Sequence, residues 1–249
     1  MKVRAALLLL LALPMAAQTR TLRVAAAADL RGALEKVQAA YQQRHPDTRI
    51  ESTFGASGSL VAQIRQGAPF DVLLAADLDF PRRLEREGLV LDETFPYAEG
   101  RLALWVDRTL GLDPAQAGLP LLMDRRVRRV AIANPEVAPY GRAAMAALEQ
   151  AHLNIQDKLL RAENVAQAAQ YLQAGAAEAG LISATQARHP ALRDRGRVWL
   201  LPPGSHPPLK QGGALLKRSG DPATCRSFRD FLLGPEGRAI LAQEGFGAP

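Results

Sequence analysis

One local pattern recurs along this chain: an extended segment, then a turn of small residues, then a helix. Its clearest copy is Arg49 to Gly67. Gly55 to Ser59 forms the turn there, and Leu60, Val61 and Ile64 mark one apolar helical face. The first N–H groups of a helix have no intrahelical acceptor, and the helix dipole is positive at that end. Such a turn therefore predicts a binding site for a small anion.

Three further strand-to-helix turns are of the same kind, at Asp29, Tyr140 and Val165. Asp29 follows the small-residue strand LRVAAAA, and we expect it to be the N-cap of the next helix. The repeated strand, turn and helix predict an α/β fold with parallel sheets. Ligands of such folds bind outside the carboxyl ends of the strands. If the two halves of the chain form separate lobes, the turns can face each other and hold a tetrahedral oxyanion without a cationic side chain.

The chain order predicts two lobes that each contain part of this pattern. We expect residues 19–99 to form the first part of lobe I, residues 100–205 to form lobe II and residues 206–249 to return to lobe I. The two crossovers are expected near Gly100 and His206. No heptad, low-complexity tract or short repeat interrupts the strand and helix pattern.

The first 18 residues have the features of a secretory signal peptide. Lys2 and Arg4 precede an apolar run from Ala5 to Leu13, and small residues follow at Ala16 and Ala17. The run is too short to span a bilayer. We expect cleavage to release an exported protein; the alternative is a buried apolar helix.

Charge and cysteine content limit the classes of protein to be considered. The formal charge is +6 and falls to +4 without Lys2 and Arg4. The one dense basic run, Arg125 to Arg129, leads into an apolar strand, which favours a solvated strand entrance over a nucleic-acid surface. Cys225 is the single cysteine and cannot form an internal disulfide, so we expect a core thiol.

Signals for metal binding and catalysis are weak. The four histidines lie far apart, without cysteines or carboxylates at ligand spacing; they are His45, His152, His189 and His206. Gly55 to Ser59 is similar to a nucleophile elbow, but its last glycine is displaced. Asp71 and Asp77 flank an apolar strand and are expected to cap or pair at its ends rather than to act as a catalytic dyad. We therefore predict no enzyme, no cofactor and no bound metal cation.

Five segments in order resemble the periplasmic molybdate-binding components of ABC transporters: VAAAADL, STFGASGSLVAQIRQGAPFDVLLAAD, AIANPEVAPYG, ENVAQAAQYLQAG and GPEGRAILAQEGF. The resemblance covers nearly all of the chain after the signal. It implies a two-lobed periplasmic binding protein of type II, each lobe a mostly parallel sheet flanked by helices. It further implies a monomer that captures molybdate or tungstate between its lobes and delivers it to an ABC permease.

The resemblance also implies a set of ligand-binding residues. Ser57 matches a serine expected to donate through its hydroxyl and its N–H, and Tyr140 and Val165 match positions that donate through the backbone. Asp29 stands where many family members have serine, and Ser183 where many have tyrosine. An ionised carboxylate beside a dianion is repulsive by on the order of a kcal/mol or more. We therefore expect the Asp29 side chain to turn away and cap the helix; the alternatives are a protonated Asp29 or a different ligand.

Three rival functions stay open at this point. Asp29 and Ser183 favour a binding protein for another anion, such as sulfate, phosphate or a small organic acid. An enzyme on the same scaffold is disfavoured because no acid, base and nucleophile assemble. A ligand-sensing domain of a regulator is disfavoured by the export signal and by the lack of a DNA-binding segment.

Overall fold

The computed structural model describes residues 19–249, so the predicted signal peptide, residues 1–18, lies outside the described part of the chain. The strands of this part are β1 Arg20–Ala27, β2 Thr48–Gly55, β3 Val72–Ala75, β4 Phe95–Gly100, β5 Leu102–Asp107, β6 Val130–Ala133, β7 Leu159–Ala162, β8 Ala179–Ser183, β9 Gly196–Leu200 and β10 Leu209–Leu215. The α-helices are α1 Arg31–Arg44, α2 Ser57–Arg65, α3 Asp79–Arg86, α4 Pro114–Ala117, α5 Pro139–Gln150, α6 Val165–Gln173, α7 Ala184–Ala187, α8 Pro190–Arg193, α9 Pro222–Leu233 and α10 Pro235–Gln243.

The strands form two five-stranded sheets, in the orders β2-β1-β3-β10-β4 and β7-β6-β8-β5-β9. We call the part built on the first sheet lobe I and the part built on the second sheet lobe II. The chain passes from the first sheet to the second between Gly100 and Leu102 and returns between Leu200 and Leu209. The α/β fold with two sheets flanked by helices confirms the predicted fold class.

Both sheets are mixed: in each, four strands run in the same direction and one runs in the opposite direction, in agreement with the predicted mostly parallel sheets. In lobe I, β1 pairs in parallel with β2 and β3, whereas β10 pairs antiparallel with β3 and β4. Lobe II repeats this arrangement, with β6 parallel to β7 and β8 and with β5 antiparallel to β8 and β9. The antiparallel strands are those on which the chain crosses between the sheets, so they enter outside the strand–helix–strand repeat that makes neighbours parallel.

Strand β4 was not predicted, and Pro96 lies within it. The strand is at the edge of its sheet, where a missing N–H is tolerated, and its register shifts opposite Gln211 and Gly212. By contrast, β3 and β6 are continuous apolar runs that are buried along their whole length, as the sequence pattern predicts.

Buried apolar side chains lie on both faces of the first sheet and throughout lobe II. Cys225 is a fully buried free thiol beside Phe228, in agreement with the predicted core thiol. The core of lobe II extends across the junction to five residues of lobe I: Ala27, Ala28, Ala56, Ala76 and Leu209. Apart from Leu209 of β10, these are small residues at the carboxyl ends of β1, β2 and β3. In residues 19–249, no helix has the length and apolar character needed to cross a bilayer.

Candidate functional site

A small cavity lies where the lobes meet. In the described part of the chain it is lined by small, aromatic or uncharged residues and one carboxylate: Ala27, Ala28, Asp29, Gly55, Ala56, Ser57, Ala76, Ala138, Pro139, Tyr140, Asn164 and Val165. No lysine, arginine or histidine is in this set. About 10 Å³ of the cavity is open to the centre of a water-sized group, which is the scale of one water or one small ion.

Three helix starts face this cavity, one from lobe I and two from lobe II. Helix α2 begins at Ser57 and α5 at Pro139, and neither has a side-chain cap. Helix α6 begins at Val165, where the Asn164 side chain accepts hydrogen bonds from Ala166 and Gln167. The partial positive charges of three helix dipoles therefore converge on a space that holds no cationic side chain.

The backbone N–H groups of Ser57, Tyr140 and Val165 make no hydrogen bond within residues 19–249. Each is at or near the first residue of its helix, where no intrahelical acceptor is available. Neighbouring N–H groups are used: Gly58 donates to the Val137 carbonyl across the lobe junction at 2.9 Å. The free donors are therefore those of three residues that the sequence predicted to bind a ligand.

Ser57 has a second donor besides its N–H. Its side chain is buried, and Oγ accepts a hydrogen bond from the Ala76 N–H at 3.0 Å. This contact fixes the hydroxyl oxygen and leaves its proton free to donate. Ser57 can thus supply two of the hydrogen bonds that an oxyanion needs.

Asp29 does not cap a helix, which corrects the prediction for this residue. Residues Ala28–Leu30 form a 3₁₀ turn, and Leu30 occupies the N-cap position of α1. The extra turn moves the Asp29 carboxyl away from the first N–H groups of α1. Its Oδ2 instead accepts from the Gln211 Nε2, and its Oδ1 has no partner in the described residues.

Burial governs the charge of the Asp29 carboxyl. The side chain is almost completely buried. Burial raises its pKa from the ordinary 3.8 to about 6, against the opposing effect of the Gln211 hydrogen bond. The Asp29 carboxyl is therefore easier to protonate than an ordinary aspartate, and with a pKa of about 6 it is still mostly ionised at pH 7.

The Tyr140 side chain crosses from lobe II to Asp29. Its hydroxyl is buried beside the carboxyl and makes no hydrogen bond in the described structure. A Cβ at Gly100 would collide with this hydroxyl, so the crossover needs a glycine where Tyr140 enters. The predicted role of Tyr140 rests on its N–H, and its side chain forms a separate contact at the lobe junction.

Sequence reasoning missed the two lobe I side chains that hold this arrangement. The Tyr97 hydroxyl is 2.7 Å from the Gln211 Oε1, which fixes the amide so that its Nε2 faces Asp29. Tyr97 is on the unpredicted strand β4. Gln211 is on β10. No motif marked either residue.

Ser183 is the one predicted site residue that does not line the cavity. It caps α7, with its Oγ accepting from the Gln186 N–H and lying 2.8 Å from the Thr185 Oγ1. Thr185 in turn donates to the Asp29 carbonyl, and the Gln186 side chain donates to the Ala28 carbonyl. Ser183 thus contacts the cavity wall only indirectly, through Thr185 and Gln186.

The other residues that the sequence singled out are used for structure. The Asp71 carboxylate accepts from the Arg23 N–H at the start of β3, and Asp77 accepts from the Asp79 N–H and pairs with Arg142 of lobe II. No group of three or more histidine, cysteine or acidic side chains suited to a metal ion occurs in residues 19–249. Arg125 to Arg129 leads into β6 with its arginines exposed and Val127 buried.

Comparison with known proteins identifies a matching family and related sequences. The family model of bacterial extracellular solute-binding proteins matches residues 22–247. A molybdate-binding protein ModA of Azotobacter vinelandii is 32% identical over 237 residues, 93% of this chain and 92% of the relative. That of Rhodobacter capsulatus is 31% identical, over 97% of this chain and 94% of the relative.

A solved structure extends this likeness to three dimensions. The periplasmic molybdate-binding protein of Azotobacter vinelandii superimposes with a TM-score of 0.83 and 29% identity, over 92% of this chain and 99% of that one. The family match covers nearly all of the described chain. The chain belongs to the bacterial extracellular solute-binding proteins.

Proposed function

We propose that this protein captures molybdate or tungstate in the cavity between its lobes and delivers it to an ABC permease from the periplasm. The observation that carries the proposal is the set of unused donors: the N–H groups of Ser57, Tyr140 and Val165, with the Ser57 hydroxyl, surround one cavity. These donors come from both lobes, so an anion bound there holds the lobes together. The names of the relatives, molybdate-binding proteins, supply the identity of the anion.

Cavity size is the proposed basis of selectivity. Uncharged donors interact with any tetrahedral dianion and do not distinguish molybdate from sulfate by charge. The lobes meet closely around the cavity, with the Gly58 N–H bonded to the Val137 carbonyl at 2.9 Å. Close-packed protein resists changes of volume. An anion of the wrong radius either leaves the donors unsatisfied or keeps the lobes apart.

Thermal unfolding with a panel of anions tests this function. Molybdate and tungstate at about 100 times the dissociation constant should stabilise the protein by about 2.7 kcal/mol, or about 5–10 °C for a chain of this size. Sulfate, phosphate and chromate at the same concentration should shift the midpoint much less. Equal stabilisation by sulfate would overturn selection by size, and no response to any anion would overturn the proposed function.

Phosphate is the second candidate, because of Asp29. An ionised carboxylate can accept a hydrogen bond, and hydrogenphosphate carries a proton on one oxygen, whereas sulfate and molybdate dianions do not. The Asp29 Oδ1 has no partner in the described residues. A larger thermal shift with phosphate than with molybdate would identify this alternative.

A further inference from the structure

A carboxyl group without a cation lies at the junction of the lobes. Asp29 is 2% exposed and lines the proposed anion cavity. The Gln211 amide donates to one of its oxygens, and the other has no partner in residues 19–249. A buried carboxylate is ordinarily paired or well hydrogen-bonded, because desolvation of an unpaired charge is costly. This carboxyl therefore lies in a setting that favours its neutral form.

The groups that face Asp29 from the neighbouring elements are uncharged. Lobe I contributes Tyr97 of β4 and Gln211 of β10, and lobe II contributes Tyr140 of α5. Thr185 of α7 donates to the Asp29 backbone carbonyl. Both tyrosine pKa values are raised well above 10.0, first by burial and then by the nearby Asp29 charge, so both phenols stay neutral near pH 7. Among these groups, only Asp29 titrates in the weakly acidic range.

The burial of Asp29 depends on the contact between the lobes. Gln211 belongs to the same lobe, whereas two contacts come from the opposite lobe: the Tyr140 hydroxyl lies beside the carboxyl, and Thr185 donates to the Asp29 backbone carbonyl. When the lobes separate, Tyr140 moves away and water reaches the carboxyl. Its environment in the open protein is then closer to that of an ordinary surface aspartate.

A bound dianion acts in the same direction as burial. Asp29 is one of the lining residues, so a tetrahedral dianion in the cavity is its neighbour. A like charge within a few ångströms disfavours the ionised carboxylate. Within residues 19–249, no lysine or arginine lines the cavity to offset the repulsion.

We propose that closure of the lobes over the dianion takes up one proton, which the Asp29 carboxyl holds, so that Asp29 determines the total charge that the closed site accepts. The proposal rests on the proposed function, since it assigns a role to Asp29 in that same site. The protonated carboxyl can donate a hydrogen bond from the oxygen that now has no partner, toward the anion or the Tyr140 hydroxyl. Asp29 thereby changes from a repulsive neighbour of the ligand into an uncharged donor.

The sign of the pH dependence follows from the direction of the shift. Burial raises the Asp29 pKa from 3.8 to about 6 in the closed form. Below the lower value the carboxyl is protonated in both forms, and closure takes up nothing. Between the two values closure takes up a proton, so affinity falls as the pH rises. Because the bound dianion raises the Asp29 pKa further, we expect uptake of about 0.9 proton per anion at pH 5 and at least about 0.5 at pH 6, and affinity at least about tenfold lower at pH 8 than at pH 5.

Calorimetry of molybdate binding in buffers of different ionisation enthalpy measures this uptake directly. The unmodified protein and the Asp29→Asn variant are titrated at pH 5, 6 and 8. Asp29→Asn keeps the shape of the side chain and cannot ionise. The number of protons taken up when molybdate binds this variant therefore reflects only the titration of the ligand itself. We expect the unmodified protein to take up about 0.9 proton more than the Asp29→Asn variant at pH 5, with a smaller excess at higher pH.

Tyr140→Phe gives a second, independent variant. Tyr140→Phe keeps the Asp29 carboxyl and removes only the hydroxyl that is buried beside it. Proton uptake should therefore persist in this variant, whereas Asp29→Asn abolishes it. Thermal melting of both variants without ligand establishes that they are folded.

The outcomes separate this proposal from the proposed function. If molybdate binds the unmodified protein and Asp29→Asn with the same proton count at every pH, the proton-uptake proposal is overturned while the proposed function stands. If molybdate does not bind the unmodified protein at any pH, the proposed function fails first. A fall in uptake for Tyr140→Phe to the level of Asp29→Asn would also contradict the assignment of the proton to Asp29.

Discussion

Ser57 combines a structural contact with a free donor in one side chain. Its oxygen accepts the buried Ala76 N–H and so links the start of α2 to the end of β3, while its proton stays available to the cavity. A hydrogen bond to a charged ligand contributes about 1.5–3 kcal/mol, more than one between neutral groups. At this scale, the site is a set of individually modest hydrogen bonds.

We expect Ser57→Ala to weaken molybdate binding by about 1–3 kcal/mol and to lower the free energy of unfolding by a similar amount, because the Ala76 N–H loses its acceptor. Calorimetry and thermal melting measure the two effects separately. Ser59→Ala is the matched control: Ser59 is partly exposed, two residues farther along α2, and its hydroxyl makes no hydrogen bond in the described residues. Unchanged affinity in Ser57→Ala would remove the hydroxyl from the binding site.

Individual residues also show where sequence reasoning ended. Ser57, Tyr140 and Val165 were identified because a small-residue or rigid turn before a helix is a local pattern. The surroundings of Asp29 were not, because Gln211 and Tyr97 are far from it in the chain and carry no motif. The capping role predicted for Asp29 was wrong because a single 3₁₀ turn moves the N-cap of α1 by one residue, to Leu30. Burial by distant residues then decides the protonation of Asp29.

At the scale of elements, the start of α2 lies against the turn before α5. The two backbones are too close for a side chain to fit between them. Gly58 donates to the Val137 carbonyl, and a Cβ at Gly58 would lie 2.9 Å from that oxygen and 3.2 Å from the Val137 Cα. These atoms are backbone, which cannot rotate away. Gly58 is therefore required for the close approach of the two lobes rather than for the helix itself.

Gly58→Ala should weaken closure of the lobes without weakening the folded structure of each lobe. We expect affinity for molybdate to fall by about 1–3 kcal/mol because the added methyl group props the lobes apart. Stability without ligand should be unchanged or slightly higher, since alanine is favoured over glycine in a helix by about 1 kcal/mol. Isothermal calorimetry and thermal melting test the two parts.

Gly32→Ala is the control for this substitution. Gly32 is exposed on α1, and a Cβ there would lie 3.7 Å from the Glu244 Oε2, an ordinary contact. The same gain in helix propensity is expected, without an effect on affinity. Tight molybdate binding by Gly58→Ala would show that the lobes do not need this contact.

The order of elements was largely predictable, because apolar periodicity and turn residues are local signals. The sequence did not predict that β10 would lie between β3 and β4, which makes both of its pairings antiparallel. Nor did it predict β4, whose Pro96 is accommodated only because the strand is at an edge. Pairing between distant strands depends on the whole sheet, which local patterns do not encode.

In the whole molecule, the two mixed sheets are arranged so that the first residues of the helices that follow their strands meet at one cavity. The junction is made by small side chains and by a few polar contacts between lobes, including the exposed ion pair of Asp77 with Arg142. Exposed ion pairs contribute little, about 0–1 kcal/mol, so the junction alone holds the lobes weakly. In this account the anion supplies the remaining stabilisation, because donors from both lobes are satisfied only when it is bound. We therefore expect the lobes to close when the anion binds.

A crystal structure of the protein bound to molybdate would show which groups hold the anion. We expect one molybdate in the cavity, with its oxygens within hydrogen-bond distance of the N–H groups of Ser57, Tyr140 and Val165 and of the Ser57 hydroxyl, and with no lysine or arginine side chain in contact. Density for the anion elsewhere, or a cationic side chain on its oxygens, would rule out capture by uncharged donors from both lobes.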